Sequence, residues 1–314
     1  FLCAGLSMLL ISSKLNIGLL EKRYKLFYLI GIILLILVFV PTLGRKSGGA
    51  TRWIDLIFFS IQPIEISKYM LLIFIAQHLS IKNKRITELK IGVISTFLPC
   101  LPYIILLLIQ PDFGNTVLIC MTIFAMIIMA GAKITHIIGI FIFLTSAFLS
   151  LIYIAPYRMQ RVFSFLDPYN DPQGSGYQII QSFVSFAKGK FLGVGLGNSS
   201  QKLFFLPQGH NDFIFSIIAE ELGFLGSFAV VVLFSTLIYS GFKMLERSKD
   251  LFSRNLLSGL LILISMQIII DLSVTVGLMP TKGVPLPLIS YGGSYLIFTL
   301  SSLGLILALD KRRK

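Results

Sequence analysis

Apolar residues in this chain come in long, nearly unbroken runs rather than in alternation. The runs at 26–43, 63–80, 91–109, 113–131, 137–155, 213–242, 256–278 and 289–309 are candidate membrane spans, since a spanning helix needs roughly 20 mostly apolar residues. A ninth run, 1–12, looks cut short. The chain starts at Phe1 directly in apolar sequence, so a preceding span is expected to be missing. Barrel strands would alternate apolar and polar positions, and these runs do not. Backbone groups in lipid must then be satisfied within helices. The pattern predicts an all-α, polytopic transmembrane bundle, read as one domain over 1–314. One long polar stretch, 156–211, interrupts it and ends against Asp212. Loops of that length are usually functional.

Composition agrees with the pattern. The chain is 55% hydrophobic and 13% charged, which excludes an ordinary soluble domain. Cys3, Cys100 and Cys120 all lie in apolar runs without metal-ligand or CxxC spacing, so packing is their expected role.

Charge sets the orientation. Lys14, Lys22, Arg23 and Lys25 fall on one side, as do the basic clusters at 82–90, 243–254 and 311–314 and Lys133. Together they hold 17 of the 27 Lys and Arg residues. The bias of basic residues in short loops makes that side cytoplasmic. Segments 44–62, 110–112, 156–211 and 279–288 then face outward. They carry nine basic residues, among them Arg52, Arg161, Lys188, Lys190, Lys202 and Lys282. Solvated charge explains these, because long loops translocate regardless of charge. A site for an anionic, phosphate-bearing lipid explains them equally.

Several residues could carry chemistry. Asp212, preceded by His210 and Asn211, opens an apolar helix. It is either a carboxylate favourable to the helix dipole or a general base whose pKa depends on burial against nearby cations. Glu65 and Lys68 sit three residues apart on one helical face. They are either a structural ion pair or a functional intramembrane pair. Glu220, Glu221 and Asp271 are further acids inside spans. The loop holds turn signals at Asp167-Pro168, Asp171-Pro172 and Gly174-Ser175-Gly176, then QIIQSFVSFAKGKF, an expected amphipathic helix on the outer surface. The following GVGLGN could cradle phosphate, although no strand precedes it and the dinucleotide motif fails. TKGVPLPLISYGGSY is irregular backbone, either a rigid turn or a cavity lining.

GGATRWIDL with IQPIEISK, QPDFG, RVFSFLDPYNDPQGSGYQIIQS, LPQGHNDFIFSIIAEELG and MPTKGVPLPLISYGGS together resemble the SEDS family (shape, elongation, division and sporulation) over essentially the whole chain. The LDPYNDPQGSGYQ loop and the MPTKG segment are more similar to its cell-division branch, FtsW, than to its elongation branch, RodA. The resemblance implies a ten-span peptidoglycan glycosyltransferase of the bacterial cytoplasmic membrane. Its outward-facing site would polymerise lipid II, the undecaprenyl-pyrophosphate-linked precursor, at the septum. The implied partners are a class B penicillin-binding protein and other division-complex membrane proteins; no nucleic acid is expected. By the family's motifs, Asp212 is the catalytic candidate, and Arg52, Glu65, Lys68 and Lys282 match its other charged positions. Lys202 and His210 complete the expected substrate-binding set. A divalent cation, Mg or Mn, could assist a departing pyrophosphate, but no metal cluster is written in the sequence. The chain departs from the family at Gln208, where an acid is usual, at Ile64 and at Tyr295. Two rivals remain from the residues alone. A lipid II flippase would need polar residues at mid-depth in both halves of the protein. A non-catalytic division scaffold would not need Asp212.

Overall fold

The computed structural model describes residues 1–47, 50–56, 59–202, 206–207, 209–281 and 283–312. The helices are α1 (Leu2–Ser12), α2 (Ile17–Lys22), α3 (Tyr24–Leu37), α4 (Ile64–Ile81), α5 (Ser95–Phe97), α6 (Leu101–Ile109), α7 (Phe113–Met129), α8 (Ile134–Ile154), α9 (Pro156–Leu166), α10 (Tyr177–Gly189), α11 (Ile214–Glu246), α12 (Leu251–Thr275) and α13 (Gly293–Lys311). Among the described residues, six segments are long and apolar enough to cross a membrane: α4, 89–109, α8, α11, α12 and α13. Three shorter apolar helices, α1, α3 and α7, accompany them. These correspond to the nine expected runs, and the chain is a multi-pass membrane protein.

Three features were not legible in the hydrophobic pattern. Segment 44–62, expected to face outward, contains a small antiparallel sheet of β1 (Gly44–Ser47), β2 (Ala50–Leu56) and β3 (Phe59–Ile61), in the order β1-β2-β3. Its strands are too short to register against the long helical runs beside them. The run at 91–109 is not one regular helix: a π turn (Leu89–Ile94), α5 and a 3-10 turn (Leu98–Cys100) lead into α6. Pro99 and Pro102 fall where this backbone is irregular. Finally, α11 is interrupted at Gly223, which has φ of 66° and ψ of −160°.

Two compact units divide the chain. The first comprises Phe1–Ile138, Ser240–Ile264 and Gly292–Lys314. Small residues let its helices approach closely. A Cβ on Gly304 would lie 2.2 Å from the Leu9 carbonyl oxygen, and one on Gly31 would lie 2.0 Å from the Tyr103 hydroxyl. Ser12 and Ser301 share a hydrogen bond of 2.7 Å, and Ser67 donates to the Gly31 carbonyl at 3.0 Å.

The second unit comprises Gly139–Tyr239 and Ser265–Tyr291. Within it the long polar loop folds into α9, a 3-10 turn (Pro168–Asn170) and α10. The turn formers act as capping acceptors. Asp167 accepts from the Tyr169 amide at 3.1 Å, and Asp171 from the Ser175 amide at 2.8 Å. The Ser175 hydrogen bonds hold the exposed Asp171 carboxyl below the usual carboxylate range. The expected amphipathic helix is α10, and it does more than lie on a surface. Ser182 shares a hydrogen bond with Ser216 of α11 (2.6 Å) and bonds to the Thr275 carbonyl of α12 (2.6 Å), and Ile179, Ser182 and Ser185 are buried.

The approach of α10 to α11 requires glycine at 189, where a Cβ would sit 1.8 Å from the Ala219 carbonyl oxygen. Gly189→Ala should therefore destabilise the protein by about 1–3 kcal/mol through overpacking. Gly139→Ala in α8, where a Cβ meets nothing within 4 Å, should leave stability unchanged or slightly raised. Thermal unfolding of the two purified variants in detergent compares them directly.

Candidate active site

The interruption of α11 organises its surroundings. Where the helix breaks, amides and carbonyls lose their partners and must find others. Segment 190–195 supplies them. The Lys190 carbonyl accepts from the Phe224 amide at 3.0 Å, and the amides of Val194 and Gly195 donate to the carbonyls of Glu220 and Glu221, both at 3.0 Å. Gly193 and Gly195 adopt positive φ, 81° and 99°, which glycine tolerates without cost. The glycine-rich stretch thus pairs with broken helix backbone. Its continuation serves the acids of α11. Glu220, 1% exposed, accepts from the Ser200 hydroxyl at 2.9 Å, the amides of Ser200 (3.2 Å) and Gln201 (3.3 Å), and the Ser199 hydroxyl. Carbonyls of α11 thus occupy the Val194 and Gly195 amides of the glycine-rich stretch, and carboxylate oxygens occupy the donors that follow it at 199–201.

Lys202 follows the same logic. Its ammonium bonds to Glu221 at 2.9 Å and also reaches the Gly197 carbonyl. In this structure its charge is committed to holding the loop on α11.

Asp212 lies just ahead of α11, on a segment strapped to the TKGVPLPLISYGG connection. The Tyr291 amide donates to the His210 carbonyl at 2.9 Å, and the Ser290 hydroxyl donates to the Asn211 carbonyl at 2.7 Å. Ser290 in turn accepts from the Leu286 amide at 2.8 Å, which shapes the proline-rich turn. Consequently the backbone at Gly283 lies beside the Asp212 carboxylate: a Cβ there would be 3.9 Å from Oδ2. Lys282, the neighbouring cation, lies outside the described residues, as does Gln208. His210 is exposed and lines a cavity of about 440 Å³ with Ile214, Ile289 and Tyr291.

Two opposed effects act on Asp212. Burial pushes its pKa from 3.8 up to about 6, and Arg161 pulls it down. Arg161 comes from α9, where its guanidinium donates to the Thr281 carbonyl at 3.3 Å. It is absent from the expected site set, although it stands among the outward basic residues. Only the fold of the loop brings α9 to the TKG segment. Asp271 in α12 is 2% exposed, neither of its carboxylate oxygens has a hydrogen-bond partner among the described residues, and it interacts electrostatically with Asp212.

The remaining expected residues belong to the first unit. Glu65 and Lys68, 3% and 1% exposed, form an ion pair of 2.5 Å. The Lys68 ammonium also sits 5.6 Å from the Tyr69 ring and 5.4 Å from the Tyr295 ring. Both distances suit a cation–π contact, so Tyr295, one of the departures from the family pattern, gives the buried cation an aromatic face. Arg52, on β2, donates to the Gln110 carbonyl at 3.2 Å and to the Pro111 carbonyl, which ties the sheet to the QPD turn. Asp112 in that turn caps α7 by accepting from the Asn115 amide at 3.3 Å. Among the described residues, no group of three or more His, Cys, Asp or Glu side chains could hold a metal ion.

Together these features define a polytopic helical membrane protein with a carboxylate of raised proton affinity at the head of a spanning helix. The chain belongs to the FtsW/RodA/SpoVE family of cell cycle proteins, whose model matches residues 1–314. It is 38% identical over 313 residues to a protein named probable peptidoglycan glycosyltransferase FtsW from Pseudomonas fluorescens, covering 99% of this chain and 77% of that one. It is 39% identical over 291 residues to stage V sporulation protein E of Bacillus subtilis, covering 91% and 78%. A chain from a structure described as "Structural coordination of polymerization and crosslinking by a peptidoglycan synthase complex" superposes with a TM-score of 0.83 at 30% identity, covering 99% of this chain and 88% of that one. The rod shape determining protein RodA of Thermus thermophilus gives 0.69 at 27% identity, with 99% and 85% covered.

The Asp212 environment has a consequence for stability. Its folded pKa of about 6 exceeds the unfolded value of 3.8. The folded state therefore holds its proton more tightly, and this site lowers stability as pH rises from about 4 through 6. Asp212→Asn should stabilise the protein by about 1–3 kcal/mol above pH 6. The gain should disappear below pH about 4, as read by thermal unfolding across pH.

Proposed function

We propose that this chain is a peptidoglycan glycosyltransferase that polymerises lipid II into glycan strands at the outer leaflet of the bacterial cytoplasmic membrane, during septal wall synthesis. The observation that carries the assignment is the placement of Asp212. It is a carboxylate of raised basicity, held through the neighbouring His210 and Asn211 carbonyls to Tyr291 and Ser290 and flanked by Arg161, in a chain whose relatives are named for this activity. A general base works best with a pKa near the working pH, and about 6 suits that task better than an ordinary aspartate.

Asp212 takes the proton from the acceptor sugar hydroxyl as that oxygen attacks the anomeric carbon of the donor. The bond from that carbon to the undecaprenyl pyrophosphate breaks, and the pyrophosphate leaves with the electron pair. Its charge is met by outward cations. Arg161, which bonds to the Thr281 carbonyl, is the candidate among the described residues, and Lys282 is the candidate that the family's motif supplies. His210, exposed on the cavity beside Tyr291, contacts the sugar or phosphate moiety. The buried Glu65–Lys68 pair is better suited to holding its surroundings than to touching substrate, because both groups are closed from solvent. A class B penicillin-binding protein is the partner that crosslinks the product. The structural relative from a synthase that couples polymerisation to crosslinking supports this pairing.

The decisive assay gives purified protein lipid II in detergent, with and without its partner, where there is no membrane to flip across. Wild type should form glycan strands, and Asp212→Asn should form none while remaining folded and binding lipid II. Strand synthesis by Asp212→Asn would sink the assignment. The rate should fall as pH drops through about 6, because the base must be unprotonated to act. Arg161→Gln removes the cation that lowers the Asp212 pKa, so the acid limb of its pH–rate profile should move to higher pH.

A further inference from the structure

We infer that a cavity at the cytoplasmic ends of α1 and α13 binds the headgroup of an anionic glycerophospholipid. The cavity measures about 630 Å³, within the usual range for small-ligand sites of about 300–1,000 Å³. It is lined by Ser13, Lys14, Asn16, Gly18, Lys311 and Arg312, among others. The basic loops place this end of the first unit at the cytoplasmic leaflet.

The lining charges differ in availability. Arg312 is already held by Glu21 at 2.7 Å and Asp250 at 3.5 Å. Those pairs fix the guanidinium and leave little of it for a ligand. Lys311 makes only a long bond, 3.4 Å, to the Ser13 carbonyl. Lys14 is exposed and makes no ion pair among the described residues. Two ammonium groups, one from the turn between α1 and α2 and one from the end of α13, therefore line one cavity, with no carboxylate paired to either among the described residues. Ammonium groups bind phosphate as point charges, and basic pockets between helices on the cytoplasmic side suit phospholipid headgroups.

The surroundings favour a lipid over a free anion. Leu10, Ile11, Leu15, Leu19 and Leu307 are 41% to 61% exposed around the cavity's helices. Acyl chains would cover these side chains while the phosphate lay between Lys14 and Lys311. A soluble phosphate would use the same two ammonium groups and leave the apolar rim bare.

The test uses the purified chain in detergent, titrated separately with phosphatidylglycerol, phosphatidylcholine and inorganic phosphate. Bound lipid is counted by native mass spectrometry, and folding is checked by thermal unfolding without added lipid. Phosphatidylglycerol should bind preferentially. Lys14→Gln with Lys311→Gln should weaken it by roughly 30-fold, from about 1 kcal/mol for each charge near the membrane surface. Lys22→Gln with Lys25→Gln removes equal charge from the same end outside the cavity, and should leave binding unchanged. An equal loss in both double variants would mean diffuse surface attraction and would overturn the site. Equal binding of phosphatidylcholine would overturn the role of charge. Full competition by inorganic phosphate would overturn the lipid assignment in favour of a free-anion site.

Discussion

Backbone hydrogen bonding in a water-poor environment governs the part of this protein where the chemistry is proposed. A helix in lipid satisfies its own amides and carbonyls, and α11 fails to do so at Gly223. The repair comes from the segment just after α10, whose amides and carbonyls pair with residues 220, 221, 224 and 225. That repair forces the long polar loop to fold against α11 and α12 rather than wave free. Glycines at 189, 193 and 223 are needed because no side chain fits between the two backbones, and those at 193, 195 and 223 sit at positive φ.

Once the loop is fixed, its acids and hydroxyls sort themselves by need. Glu220 enters the apolar part of α11 and is made tolerable by four donors from residues 199–201. Glu221 takes Lys202. Asp212 receives no such set of donors. It keeps its desolvation penalty, offset among the described residues by Arg161, so its proton affinity is raised. The same difference that costs stability there suits Asp212 to the role of base proposed for it. Strain of this kind concentrates at functional sites.

The first unit shows the other solution for a buried charge. Lys68 is enclosed with a carboxylate and two aromatic faces, so its charge is neutralised locally. Tyr295 takes part in that enclosure, which gives the SYGGSY ending a physical role. Arg52 is spent on carbonyls of the QPD turn, linking sheet to helix cap. Of the family's charged motifs, Arg52, Glu65 and Lys68 therefore hold the scaffold.

The spans were legible in the linear sequence, and the expected orientation and the choice of Asp212 were drawn from it as well. Apolar run length, basic-loop bias and an acid at the head of an apolar helix are properties of neighbouring residues. The sheet at 44–61 and the break at Gly223 were not, because short strands and one positive φ leave no periodic signal. Arg161 could be counted as an outward cation but not placed, since its role depends on α9 meeting the TKG segment far along the chain. The glycine-rich stretch could have been a phosphate cradle until the fold brought Glu220 and Glu221 to its donors. The sequence by itself determined that this is a many-helix membrane protein with a long charged loop, because hydrophobicity and charge act residue by residue. Only the tertiary structure decided which charges are spent and which stay available, because pairing and desolvation depend on what the fold brings near.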